Sequence, residues 1–92
     1  MSQPSQTRIN QYSAPVDANG PKGISPTNPR RNYLCIQNTG ANPLFVGFDK
    51  QDNGYTVYGG EEKEWDQIIP IDSINLRSPA GTTVVILEGM PV

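Results

Sequence analysis

The run Tyr33-Leu34-Cys35-Ile36-Gln37, followed by Asn38-Thr39-Gly40-Ala41-Asn42-Pro43 and then Leu44-Phe45-Val46-Gly47-Phe48, decides how the rest of the chain is read. In the first run Leu34 and Ile36 fall on one face of a strand and Tyr33 and Cys35 on the other, the alternation of a strand buried on at least one side. The middle run is a dense cluster of turn formers and the third reads as a returning strand, so the three together predict a β-hairpin.

Downstream, Asp52-Asn53-Gly54 is a short-hairpin signal, because Asn-Gly accepts the positive φ of a type I′ turn. Tyr55-Thr56-Val57-Tyr58 then reads as a third strand, broken by Gly59-Gly60. The charged stretch Glu61 to Asp66 fits an extended strand ending at Trp65, and Pro70 argues against a central strand continuing past it. Ile74-Asn75-Leu76-Arg77-Ser78 alternates with Ile74 and Leu76 inward, and Ser78-Pro79-Ala80-Gly81 makes a turn. Thr82-Thr83-Val84-Val85-Ile86-Leu87-Glu88, β-branched through its first part, predicts a central strand buried on both faces and ended by Gly89 and Pro91. With no amphipathic helix of useful length, and connections too short for parallel crossovers, the chain is all-β. The expected form is a small antiparallel β-sandwich or jelly-roll-like barrel of about six to eight strands.

Toward the N-terminus the composition changes. Residues 1–32 hold seven side chains of the hydrophobic set and five of the nine prolines, and carry a net charge of +3 against −5 for residues 33–92. So apolar-poor a segment cannot offset its own ordering entropy, about 1–2 kcal/mol per residue for the backbone. The expected organisation is an extended, proline-rich N-terminal arm at 1–29 on an antiparallel β-sandwich body at 30–92. A disordered tail is the alternative. Against it stand Ile9, Tyr12, Val16 and Ile24, spaced like the anchors of a segment that orders along a partner surface. With Arg8, Arg30 and Arg31 they are the candidate partner-binding residues of the arm.

Ninety-two residues allow one domain. Histidine is absent and Cys35 is the single cysteine, so histidine triads, Cys–His dyads and multi-ligand Cys/His zinc sites cannot be built within one chain. The expectation is no enzyme, no catalytic residue, no metal and no cofactor. A body of about 60 residues buries only around 60% of its unfolded surface, and the lone cysteine denies it an internal disulfide, which leaves oligomerisation or docking as the compensation. Cys35 itself reads as a buried free thiol, with an intermolecular bridge as the alternative. The start of the chain shows no basic-then-apolar leader, and no run approaches the 18 or so residues of a membrane span, so a membrane partner is not expected.

The remaining motifs are thin. Glu61, Glu62, Glu64, Asp66 and Asp72 do not fix the gap between two catalytic carboxylates, and a charged strand edge that discourages aggregation accounts for them. Asp49, Gln51, Asn53 and Gly54 begin like a calcium loop, but position twelve falls on Gly60 where a bidentate Glu is needed. Arg30-Arg31 invites a nucleic-acid reading, yet the chain is acidic overall, and an arginine paired with the body's excess carboxylates explains the pair better. Tyr55, Tyr58 and Trp65 are candidates for an intersubunit or ligand surface.

The stretch from Arg30 to Phe48, with Gly60 to Trp65 and Ser78 to Glu88, resembles small virion structural proteins of tailed bacteriophages. In these an arginine-led strand ending in Ile-Gln-Asn, an Asn-Pro turn, a Gly-to-Trp strand and a Gly-Thr-x-Val strand recur in order. The resemblance implies a head decoration (cement) or fibre-associated protein in the virion, assembled in the host cytoplasm. It also implies self-association, with trimers favoured, and docking on the major capsid protein or another virion protein through body and arm. A glycan- or receptor-binding fibre module and a small host-directed inhibitor are the alternatives.

Overall fold

The computed structural model describes residues 6–49 and 54–92 and is all-β, with seven strands in two sheets. In chain order they are β1 (Thr7–Val16), β2 (Tyr33–Asn38), β3 (Leu44–Phe48), β4 (Tyr55–Val57), β5 (Glu62–Trp65), β6 (Ile74–Arg77) and β7 (Thr82–Pro91). The first sheet has the order β1-β7-β2-β5 and the second β4-β3-β6, with every pairing antiparallel. The small antiparallel β-sandwich expected from the alternation is the fold.

An irregular eighth strand completes the second sheet. On the side of β6 away from β3, Ile74 N–H donates to the Ser25 carbonyl (2.9 Å), Leu76 N–H to the Pro21 carbonyl (2.9 Å) and Ser78 N–H to the Asp17 carbonyl (2.9 Å), while Ile24 N–H donates back to the Ile74 carbonyl (3.0 Å). Pro21 supplies no N–H of its own to this ladder, which keeps the segment from being a regular strand. Counted with it, the sheets read β1-β7-β2-β5 and 17–25-β6-β3-β4, the strand order of a jelly roll.

The core lies between the sheets. Val16, Leu34, Ile36, Val84 and Ile86 enter it from the first, Leu44, Val46, Val57, Ile74 and Leu76 from the second. Burying side chains of this size contributes about 1.5–3 kcal/mol each. Ile74 and Leu76 point inward as their alternation predicts. Asn75, between them, is buried because the 17–25 segment covers it: its Oδ1 accepts the Gly23 N–H (2.8 Å) and its side-chain amide donates to the Asp49 carbonyl.

Several expectations need correction. Residues 38–43 do not close a hairpin, because β2 pairs with β7 and β5 whereas β3 pairs with β4 and β6. The buried Asn38 amide accounts for the crossing: it donates to the carbonyls of Asn42 (2.7 Å) and Val57 (2.8 Å) and accepts from Gly40 N–H (3.1 Å) and the Thr82 hydroxyl (2.7 Å). One side chain thereby ties the corner to both sheets. β3 and β4 do form an antiparallel pair, but the Asp52-Asn53 part of the predicted turn lies outside the described residues, as do Gln51 and Asn53 of the calcium-like motif. β7 is central in its sheet, yet Val85 and Leu87 on its outer face are only half-buried, and it runs on through Gly89 to Pro91. Gly89 is needed there for close approach: a Cβ would sit 2.8 Å from the Tyr33 Cβ and 2.9 Å from the Thr7 Cγ2.

The compositional boundary after residue 29 is not a structural one. Residues 7–16 are extended, as their composition implies, but they pair along their whole length with β7 of the same chain. The first third of the chain supplies a full strand and the irregular eighth strand of the body, because alternate residues of β1 supply enough inward apolar surface even though the segment average is low.

Candidate docking edge and the polar anchor behind it

β1 is fastened by a buried polar cluster. Glu88 on β7 is 3% exposed and Arg31, just before β2, is 4% exposed. Arg31 Nε donates to Glu88 Oε2 at 2.6 Å. The other four guanidinium N–H groups are also used: Nη1 donates to the carbonyls of Pro70 (2.7 Å) and Asp72 (3.1 Å), and Nη2 to Ser25 Oγ (3.0 Å) and the Pro26 carbonyl (3.2 Å). Glu88 accepts in addition from Ser25 Oγ (2.9 Å) and from the Tyr12 hydroxyl. One fully satisfied ion pair thus joins β1, the 17–25 segment, the 26–31 linker, the 70–72 loop and β7.

Burial alone would push the Glu88 carboxyl up. The hydrogen bonds from Tyr12, Arg31 and Ser25, with the Arg31 charge, outweigh it and hold the carboxyl below its ordinary value. The Tyr12 phenol is raised by burial and by donating to that carboxylate.

This placement sorts the candidate residues. Arg31 and Val16 are buried inside their own chain, so they are corrected from partner-binding to internal roles, with Arg31 paired to a body carboxylate. Tyr12 and Ile24 are half-buried and pack against the core, Tyr12 with its hydroxyl on Glu88. Arg8 and Arg30 remain exposed near the C-terminal end of β7, with Arg30 Nη2 on the Pro91 carbonyl at 3.3 Å, and Ile9 is 50% exposed on β1. Glu88 itself was missed. Its parity with Val84 and Ile86, both inward, is the sequence signal that marks it as buried.

The four sheet margins are unequal. β6 is covered by 17–25, β4 has only three residues, and β5 has four, of which Glu62, Lys63 and Glu64 are charged. Short, charged or covered edges resist pairing with another chain. β1 runs for ten residues with Arg8 as its lone charge. Val92 N–H donates to the Gln6 carbonyl (3.2 Å), while Asn32 N–H and Thr39 N–H donate to the Gly89 and Thr83 carbonyls (2.9 Å each) on the opposite side of β7. Even-numbered residues of β7 therefore face β1, and the register then turns the even residues of β1 toward β7 and the odd ones outward. Thr7, Ile9, Gln11 and Ser13 present their N–H and C=O groups at the open margin. Pro15, with no N–H, has its nitrogen on the same outward side, where a proline costs no ladder bond.

At the far corner, between β4 and β5, Phe48, Tyr55 and Trp65 meet edge to face, with centroid separations of 6.1, 5.5 and 5.4 Å. Lys63 Nζ lies 5.4 Å from the Tyr55 ring and 5.8 Å from the Trp65 ring. The structure thus brings Tyr55 and Trp65 together, the latter half-buried, whereas Tyr58, at 58% exposed, stands outside the cluster. The rings are engaged with one another and with Lys63, an arrangement that clips the two sheets together.

Cys35 is a buried free thiol. Burial first, and then its contact with Glu62 Oε2 at 3.0 Å, push it up to about 12. The neighbouring Tyr33 hydroxyl donates to Glu64 Oε2 at 2.6 Å, which raises the phenol above its ordinary value. Among the described residues no group of three His, Cys, Asp or Glu side chains is placed to hold a metal ion, and no helix is long and apolar enough to cross a membrane.

These features define a jelly-roll β-sandwich in which, among the described residues, β1 presents one long open strand edge. No protein-family model and no curated protein matches the chain. Among solved structures, it is similar in fold to a chain of the disulfide-linked pili that form Bacillus endospore appendages, with a TM-score of 0.54 and 10% sequence identity over 98% of this chain and 92% of that one.

Proposed function

We propose that this chain is a structural subunit that works by docking in a larger assembly, and within that class a capsid decoration protein of a tailed bacteriophage. The observation that carries the docking role is the ten-residue β1 margin, held rigid from behind by the Arg31–Glu88 cluster and left open in front. A preformed strand edge offers main-chain hydrogen bonds to a neighbour without paying for its own ordering at the moment of binding. Repetition over a lattice multiplies a weak contact by avidity. The phage assignment rests on the resemblance of residues 30–48, 60–65 and 78–88, which also points to self-association, with trimers favoured, and to the major capsid protein as the docking surface.

The structural neighbour belongs to pili that are disulfide-linked. Here the single cysteine is buried and its thiol faces Glu62, which supports a noncovalent assembly. Co-sedimentation with undecorated capsid shells tests the reading: saturable binding at a fixed ratio to the shell subunit is expected. A chain that stays in the supernatant at all ratios overturns the decoration role. The glycan-binding alternative rests on the Phe48–Tyr55–Trp65 cluster, and a glycan array that stays blank disposes of it.

A further inference from the structure

We infer that β1 pairs with β1 of a second copy of this chain, antiparallel about a two-fold axis through Asn10, so that the two four-stranded sheets join into one. This assigns the β1 edge to self-association, closing at two rather than the three that the resemblance favours, and leaves contact with a shell to other faces of the body; it rests on the proposed assembly role for its biological use. Antiparallel pairing of a strand with its own copy is isologous and closes at two, the commonest symmetry of soluble oligomers.

The backbone sets the register. Hydrogen-bonded pairs must join residues whose N–H and C=O groups point outward, which on β1 are the odd ones. Centring on Asn10 sets Thr7 against Ser13 and Ile9 against Gln11, and each of these pairs exchanges two hydrogen bonds. Pro15 then lies beyond the pairing. Centring one residue earlier or later, on Ile9 or Gln11, either shortens the ladder or sets Pro15, which has no N–H, against Thr7.

Charge agrees. In the Asn10-centred register the two Arg8 side chains leave the backbone roughly 14 Å apart, four residues at about 3.4 Å each, beyond the Debye length of about 8 Å at physiological salt. The other margin of the same sheet fits β1 less well. β5 could extend it head to tail, but only Glu62 and Glu64 of that four-residue strand turn their backbone groups outward, about half the bonds of the self-paired edge.

A single strand pair buries less than the roughly 1,200–2,000 Å² of a stable standard interface, so the dimer is concentration-dependent. Light scattering from about 1 µM to about 1 mM is expected to show a mass rising from 10.1 kDa toward twice that value. Two variants localise the contact. Gln11→Pro removes an outward N–H and leaves the β7 ladder intact, as Pro15 already does, so the circular dichroism spectrum is kept and the dimer is lost. Asn10→Cys sets two thiols across the axis in a non-hydrogen-bonded pair, close enough for a disulfide. On mild oxidation it is expected to give a covalent dimer, which wild type and an exposed control, Gln67→Cys, do not. A chain that stays monomeric at about 1 mM overturns the inference, and so does a trimer or open-ended series in which Asn10→Cys fails to cross-link. Either result leaves the docking role standing if shells still bind the chain, and that role fails separately if they do not.

Discussion

Replacing Arg31 with methionine keeps most of the side-chain stem and removes the guanidinium. In the native structure that group, on a residue 4% exposed, satisfies one carboxylate oxygen of Glu88, the Ser25 hydroxyl and the carbonyls of Pro26, Pro70 and Asp72. Its loss leaves Glu88 ionised and buried with only the Tyr12 and Ser25 hydroxyls. Breaking a buried pair from one side costs about 3–5 kcal/mol, a large fraction of the roughly 5–15 kcal/mol that holds a small domain folded. For a chain of this length each kcal/mol lowers Tm by about 4–8 °C, so Arg31→Met is expected to melt at least about 12 °C below wild type. Removing both charges, in Arg31→Met with Glu88→Leu, takes away the uncompensated carboxylate and recovers most of the loss, since a buried pair and an apolar replacement are close in stability. Urea titrations followed by circular dichroism supply the four corners of a double-mutant cycle. A cost below about 1 kcal/mol for Arg31→Met, or a double variant as unstable as the two single losses summed, refutes the claim that this pair fastens β1 and the linker to β7.

The same cluster sets the acid limb. Because the folded Glu88 carboxyl titrates below its unfolded value, its contribution is complete above the ordinary carboxylate range and is lost as pH falls through the folded value. Wild type should lose stability below about pH 4.5, and Glu88→Gln should flatten that limb; equal limbs in the two proteins contradict the assignment. Gly89→Ala forces a Cβ to within 2.8 Å of the Tyr33 Cβ, and a shift to lower urea midpoints worth about 1–3 kcal/mol is expected for such overpacking; an unchanged midpoint counts against the close approach. Cys35, pushed up to about 12, should label with a thiol-specific disulfide reagent at pH 8 far more slowly in the folded chain than in urea, and equal rates would show that the thiol is open.

Much of the fold was legible because period-two alternation is local. Leu34 and Ile36 share a buried face, and Ile74 and Leu76 point inward, as their spacing says. Pairing was less legible. Turn formers at 38–43 specify a reversal of direction but not which sheet receives the returning strand, and the Asn38 amide ties that corner to both sheets through two long-range bonds, to the Val57 carbonyl and the Thr82 hydroxyl. The N-terminal third misled through its average: Tyr12, Ala14 and Val16 alternate with Ser13 and Pro15, which is the pattern of an edge strand, while the surrounding Gly, Pro and Asn dilute the count. Arg31 could be matched to the acidic body from charge, but its particular partner could not, since Glu88 lies 57 residues away in sequence. The open margin of β1 is a property of topology. It becomes visible only once β7 is seen to take the inner side of the strand and nothing among the described residues takes the outer one.

Residue-resolved amide exchange along β1 in dilute solution tests the central claim most directly. The account predicts alternation, with Arg8, Asn10, Tyr12 and Ala14 slowed by their bonds to β7 and Thr7, Ile9, Gln11 and Ser13 exchanging freely at the open margin. Uniformly fast exchange from Thr7 to Val16 would mean that the segment is a loose tail, and would contradict both the anchored strand and the edge it presents.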